Sequence, residues 1–123
     1  MISIPSAFSP SYAQARVKFL EAAFTASTAI RSFKHPLPGR DGEQLAMDVA
    51  LDGDPASERL LIVSSACHGV VGYCGSGVQV FALHDDEWRA KARDAGVAVL
   101  YIHALNPYGF SHIRRVTQEN VDL

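Results

Sequence analysis

The sequence predicts an α/β fold, a mixed sheet with flanking helices, and three features carry that prediction. Arg59 to Ser64 is a continuous apolar run with polar ends, and Val97 to His103 is a second apolar run; each reads as a buried strand. Helical segments lie between them, and strand, helix, strand in that order forms a right-handed crossover and therefore a parallel pair. Upstream, Leu45 to Leu51 alternates apolar and polar positions behind the turn Gly39-Arg40-Asp41-Gly42, which reads as the second arm of a hairpin.

Each element has its own local reason. Ser9 or Ser11 caps a helix predicted from about Tyr12 to Arg31, because Ala15, Phe19, Ala22, Ala23 and Ala26 recur at spacings of three and four. Phe33 to Leu37 is a short extended edge segment, since Pro36 and Pro38 push their predecessors from helical angles and remove two backbone donors. Asp52-Gly53-Asp54-Pro55 breaks the chain before Arg59 to Ser64, whose apolar character predicts a central strand covered on both faces. A small-residue loop is expected from Ser65 to Gly77, then helical segments over Val78–Leu83 and Asp85–Asp94, with Gly96 as the stop. Two loops, Ala66 to Gly77 and Ala104 to Arg115, thus follow carboxyl ends of parallel strands, the edge where ligands bind in open sheets.

The 123 residues fit one domain around one core, with no repeat, linker or low-complexity tract. A net charge of -2 and the absence of any block of like charges supply no field for nucleic acid or an anionic membrane. The N-terminus lacks a basic segment followed by an apolar one, and no run spans a bilayer, so the expected location is cytoplasmic. Two cysteines, Cys67 and Cys74, are too few for a disulfide framework and are expected as free thiols.

His68-Gly69-Val70-Val71 is the stretch with chemical content. A His-x-x-Glu metal pair aims positions i and i+3 at one point from such a turn, and the carboxylate balances the cation's charge. Val71, in the i+3 place, has neither donor nor charge.

Ser65-Ala66-Cys67-His68-Gly69-Val70, Cys74-Gly75-Ser76-Gly77-Val78-Gln79 and Ile102 to Phe110 together resemble a bacterial family related to zinc carboxypeptidases, of the carboxypeptidase A-like and succinylglutamate desuccinylase-like kind. The likeness runs from Tyr12-Ala13-Gln14-Ala15-Arg16 to the tail Arg114-Arg115-Val116 and Asn120-Val121-Asp122-Leu123. It implies a phosphorylase/hydrolase-like fold, of which residues 1–123 are the N-terminal part. It also implies a zinc ion held by a His-x-x-Glu pair and a distant histidine, with a glutamate as general base for a zinc-bound water. His68 takes the place of the first ligand, and Val71 stands where the second is expected. Arg114 or Arg115 fills the place of an arginine that stabilises the oxyanion, and Asn106 and Tyr108 lie in the implied substrate-binding segment. The implied substrates are peptides or N-acyl amino acids cleaved beside a free carboxylate. The remaining ligand, the base and a carboxylate-holding Asn-Arg-Asn-Phe segment belong, in the family, beyond the position of Leu123.

The expectation is therefore a truncated or degenerate relative of a zinc hydrolase with little or no catalysis. The competing class is a non-catalytic α/β interaction module, or a partial fold that pairs with itself through an exposed sheet edge. Other constellations read as structural. His68, His103 and His112 invite a three-histidine site, but strand-end histidines usually satisfy local backbone groups. Cys74 follows its strand too distantly for a nucleophile elbow and reads as a packed thiol at a helix start. Gly72, Gly75 and Gly77 match no phosphate-binding spacing and read as close-packing positions. His35 and His84 are expected in solvent.

Overall fold

Ser11 opens the main N-terminal helix, its hydroxyl accepting from the Gln14 N–H at 3.2 Å. The computed structural model describes all residues, Met1–Leu123. Its order is α1 (Ile4–Ala7), α2 (Tyr12–Thr25), β1 (Ala29–Pro38), β2 (Gln44–Asp52), β3 (Arg59–Ser64), a 3-10 turn (Gly69–Val71), α3 (Gly72–His84), α4 (Asp86–Asp94), β4 (Val97–His103) and α5 (Pro107–Ser111). No helix is long and apolar enough to cross a membrane.

Two boundaries differ from the sequence reading. Helix α2 stops at Thr25 and does not reach Arg31, because Ser27 turns left-handed at φ 58° and Thr28 directs both its N–H and its hydroxyl to the Ala23 carbonyl. The residues expected to finish that helix instead start β1, which is correspondingly longer than Phe33 to Leu37. Helix α3 begins at Gly72, so the loop after β3 is shorter than Ser65 to Gly77 and the three glycines lie within the helix. Cys74 sits in its first turn but is exposed, not packed, and both cysteines are free thiols.

The four strands lie in the order β1-β2-β4-β3. β1 and β2 form the predicted antiparallel hairpin, β2 and β4 are antiparallel, and β3 and β4 are the predicted parallel pair. The central place expected for β3 belongs to β4. β3 is an edge strand, with Leu60 55% and Ile62 56% exposed. The reason is that its apolar residues meet a helix layer on one side only. The core joins Phe19, Ala22 and Ala23 of α2 and Val80 and Leu83 of α3 to Ala50, Val99 and Tyr101 of the sheet. On α4, Trp88 donates its indole N–H to the Tyr101 hydroxyl at 3.0 Å, so this helix lies on the same face. Helix α5 closes the carboxyl end of the sheet, where Phe110 packs with Tyr12, Leu45, Ala66 and Ala104.

Candidate functional site

Because β3 and β4 run parallel, their loops leave the sheet at one edge, and backbone hydrogen bonds zip them together. Leu105 N–H donates to the Ser65 carbonyl and Asn106 N–H to the Ala66 carbonyl, both at 2.9 Å. Further out, Gly69 N–H donates to Arg115 and Val70 N–H to Arg114, both at 3.1 Å. Glycine is required at the crossing: a Cβ on Gly69 would stand 2.1 Å from the Gly109 carbonyl carbon, and one on Gly72 would stand 2.2 Å from the Phe110 ring. Asn106 is buried and spends its amide inside this junction, accepting from Gly109 N–H at 2.8 Å and donating to the Arg115 carbonyl at 3.3 Å. It holds the arginine segment against the loop.

His68 emerges from the zipped loops half-buried, with its Nε2 3.0 Å from Asp122 Oδ1. The other oxygen of Asp122 accepts from Arg115 Nε, also at 3.0 Å. One carboxylate therefore bridges the imidazole and a guanidinium, and the tail folds back over the loop that carries His68. Arg114 turns away: its guanidinium lies 6.0 Å from the centre of the Tyr108 ring and donates to Asn120. Tyr108 in turn stacks on His112 at 4.0 Å and neighbours His35 at 6.0 Å. Of the two arginines, Arg115 is the one joined to His68. Asp122 escaped the sequence reading of the site because only the return of the tail brings it there, and no local pattern announces that return.

Val71 ends the 3-10 turn with 52% of its surface exposed, so the expected second-ligand place faces solvent without a donor. Nowhere do three or more His, Cys, Asp or Glu side chains converge as a metal site would require. The donor set at His68 is one imidazole and one carboxylate already shared with Arg115, which does not fit the three protein ligands of a catalytic zinc. The three-histidine alternative fails on burial, since His103 is wholly enclosed. His35 and His84 are partly covered, not free in solvent.

Beneath the loops lies a polar network that the sequence reading did not anticipate. Asp48, fully buried on β2, takes a two-pronged contact from Arg16 at 2.8 and 3.1 Å and a hydroxyl donor from Ser32 at 2.5 Å. Opposite Asp48 in the β2–β4 register stands His103, whose Nε2 is 2.8 Å from the Ser76 hydroxyl and whose Nδ1 has no partner. Burial pushes His103 down to about 4, so the ring is neutral at pH 7. Burial also lifts the Tyr12 phenol to about 12, and that hydroxyl donates to the carbonyl of Ala46 and accepts from its N–H. Arg16, held by Asp48, is raised above its ordinary value. With Asp48, His103 and Tyr12 buried, these groups anchor α2 and α3 to the sheet. The alternation of β2 hid this network, because Leu45, Met47, Val49 and Leu51 read as the covered face and Asp48 lies on the other.

The fold is similar to that of Porphyromonas gingivalis glutaminyl cyclase, with a TM-score of 0.50 and 15% identity over 86% of this chain and 46% of that one. A second structure of the same cyclase gives 0.48 and 14%, covering 83% of this chain and 47% of that one. Macrostomum lignano glutaminyl cyclase gives 0.46 and 10%, covering 78% and 32%. The chain thus spans about half the length of the bacterial cyclase, and at such identities the likeness concerns the fold alone. No curated protein matches. The match that spans the chain, over residues 8–123, is to the family described as Protein of unknown function (DUF2817), and the chain belongs to that family.

Proposed function

We propose that this chain carries a degenerate zinc-carboxypeptidase-like hydrolytic centre, in which Val71 takes the place of a ligand and weakens zinc binding. The observation that carries the reading is the placement of His68: at the carboxyl end of a parallel strand, tied through Asp122 to Arg115, with exposed Val71 in the second-ligand place. A carboxylate beside the Nε2 of a histidine is a recurrent support for metal ligation through the other ring nitrogen, which supports ancestry as a ligand. The substrates of the intact centre are, on this reading, peptides or N-acyl amino acids with a free carboxylate, for which the permanently charged Arg115 is a suited partner. Tyr108, half-buried between His35 and His112, would flank that group.

Zinc titration of the protein and of two variants tests the reading. Wild type is expected to bind no zinc more tightly than about 1 μM. Val71→Glu restores a second ligand at an exposed position and should tighten binding at least about tenfold, and the gain should vanish in the His68→Ala, Val71→Glu double variant. Unchanged affinity in Val71→Glu would sink the assignment of His68 and position 71 to one metal site.

A further inference from the structure

Gln79 is a costly residue where it stands. It lies two turns into α3, wholly buried next to Val80, at a place where leucine or methionine would fill similar space without taking an amide out of water. Its side-chain oxygen has no hydrogen-bond partner. Its nitrogen donates twice, to the Val63 carbonyl at 2.8 Å and to the Ile102 carbonyl at 3.0 Å. Both carbonyls belong to the last rungs of the parallel pair, where Ser64 of β3 stands opposite Ile102 of β4. The Ile102 oxygen already accepts from the Ser65 N–H at 3.0 Å, so Gln79 uses its second acceptor site. No other side chain donates to both of these strands.

We propose that Gln79 is a positioning residue: from α3 it clamps the carboxyl ends of β3 and β4, and so fixes where His68 and Arg115 stand relative to each other. The path of the chain gives one side chain this reach. The backbone leaves β3 at Ser64, carries His68 into the 3-10 turn and enters α3 at Gly72, so the bond from Gln79 back to Val63 closes the base of that loop. The bond to Ile102 fixes the start of the second loop, whose Leu105 and Asn106 N–H groups donate to Ser65 and Ala66. Further out, the bonds from Gly69 and Val70 to Arg115 and Arg114 extend the same junction. A primary amide suits the task, because its two N–H groups can address two carbonyls at once, whereas a carboxylate in the same place would repel both. The unpaired oxygen agrees with a group kept for its donors. The hold on the loops stands on these bonds alone, and its consequence for a metal rests on the proposed hydrolytic centre.

Native-state hydrogen exchange of wild type and Gln79→Met reads the clamp directly. Methionine keeps the length of the side chain and removes both donors. The Gly69, Val70, Leu105 and Asn106 amides should exchange at least about tenfold faster, over and above any change shared by the amides of β2 and β4. Trp88→Phe, which removes the bond from α4 to Tyr101, should leave that ratio as in wild type. A uniform acceleration in Gln79→Met would make the residue a stabiliser of the whole fold and overturn the proposal. If Gln79→Met does not fold, wild type decides: the Gln79 side-chain amide and the four junction amides should share one opening free energy and one denaturant dependence. A side-chain amide that opens separately from them overturns the proposal. In the Val71→Glu chain, adding Gln79→Met should weaken zinc binding at least about tenfold and adding Trp88→Phe should not, and equal weakening by both would count against the positioning of His68. A Val71→Glu chain that binds no zinc sinks the zinc reading alone, and the exchange ratio still decides the clamp.

Discussion

His103 makes the stability of the protein depend on pH through one enclosed ring. In the unfolded chain its imidazole takes a proton near the ordinary value of 6.5, whereas in the fold burial lowers it to about 4. Between those values the unfolded state binds more protons, so stability is complete above pH 6.5, falls as pH drops toward 4, and levels off below. At pH 5 this one group should cost about 2 kcal/mol relative to pH 7.5, measurable as a shift of the urea midpoint. His103→Gln, which keeps a polar group near Ser76 but does not titrate, should lose that part of the pH dependence; a variant with the same dependence as wild type would place its origin elsewhere. The residue scale also shows what sequence can and cannot disclose about a site. His68, Val71 and the arginine pair entered the reading through the family resemblance, which contiguous motifs after the two parallel strands carry. Asp122 and the Asp48–Arg16 pair did not, because each acquires its meaning from a partner that is distant in the chain.

At the scale of elements, local signals fared well wherever a turn residue ended them. β4 runs from Val97 to His103 as expected, bounded by Gly96 at φ 67°, and β2 forms its hairpin behind Gly42 at φ 81°. The far end of α2 was misread because alanines favour helix on either side of Ser27, and tertiary packing of Ile30 against the core decides for strand. The loops after β3 and β4 behave as one unit, and Gly69 is the test of that statement. Its backbone is helical and tolerates any residue, so only the contact with Gly109 resists a side chain. Because the clashing atoms are backbone, neither loop can yield cheaply, and Gly69→Ala should destabilise the fold by about 2 kcal/mol. For a chain of this size that lowers Tm by on the order of 8 °C, readable by calorimetry. A Tm within about 1 °C of wild type would mean that the two loops are not locked together.

Over the whole molecule, the informative misreading is β3. Its residues are apolar on both sides, which is the record of a strand covered on both faces, yet in this chain one face of it is open and one edge is unpaired. Composition reports the surroundings in which a strand is buried, not the order in which strands pair, and the order was invisible to periodicity. The discrepancy gives the sheet face a distinctive dynamic signature. β4 is hydrogen-bonded on both sides, by β2 and β3, and its amides can exchange only when the sheet opens. β3 has one bonded side, so alternate amides face solvent. Hydrogen exchange should therefore rank β4 and β2 slowest, with the outward amides of β3 markedly faster. Edge pairing makes the opposite demand, since an added strand would take up those same N–H groups. Protection of Leu60 to Val63 matching that of β4, appearing as concentration rises, would show an added strand at this edge, whereas fast outward amides at every concentration would show that the edge stays unpaired.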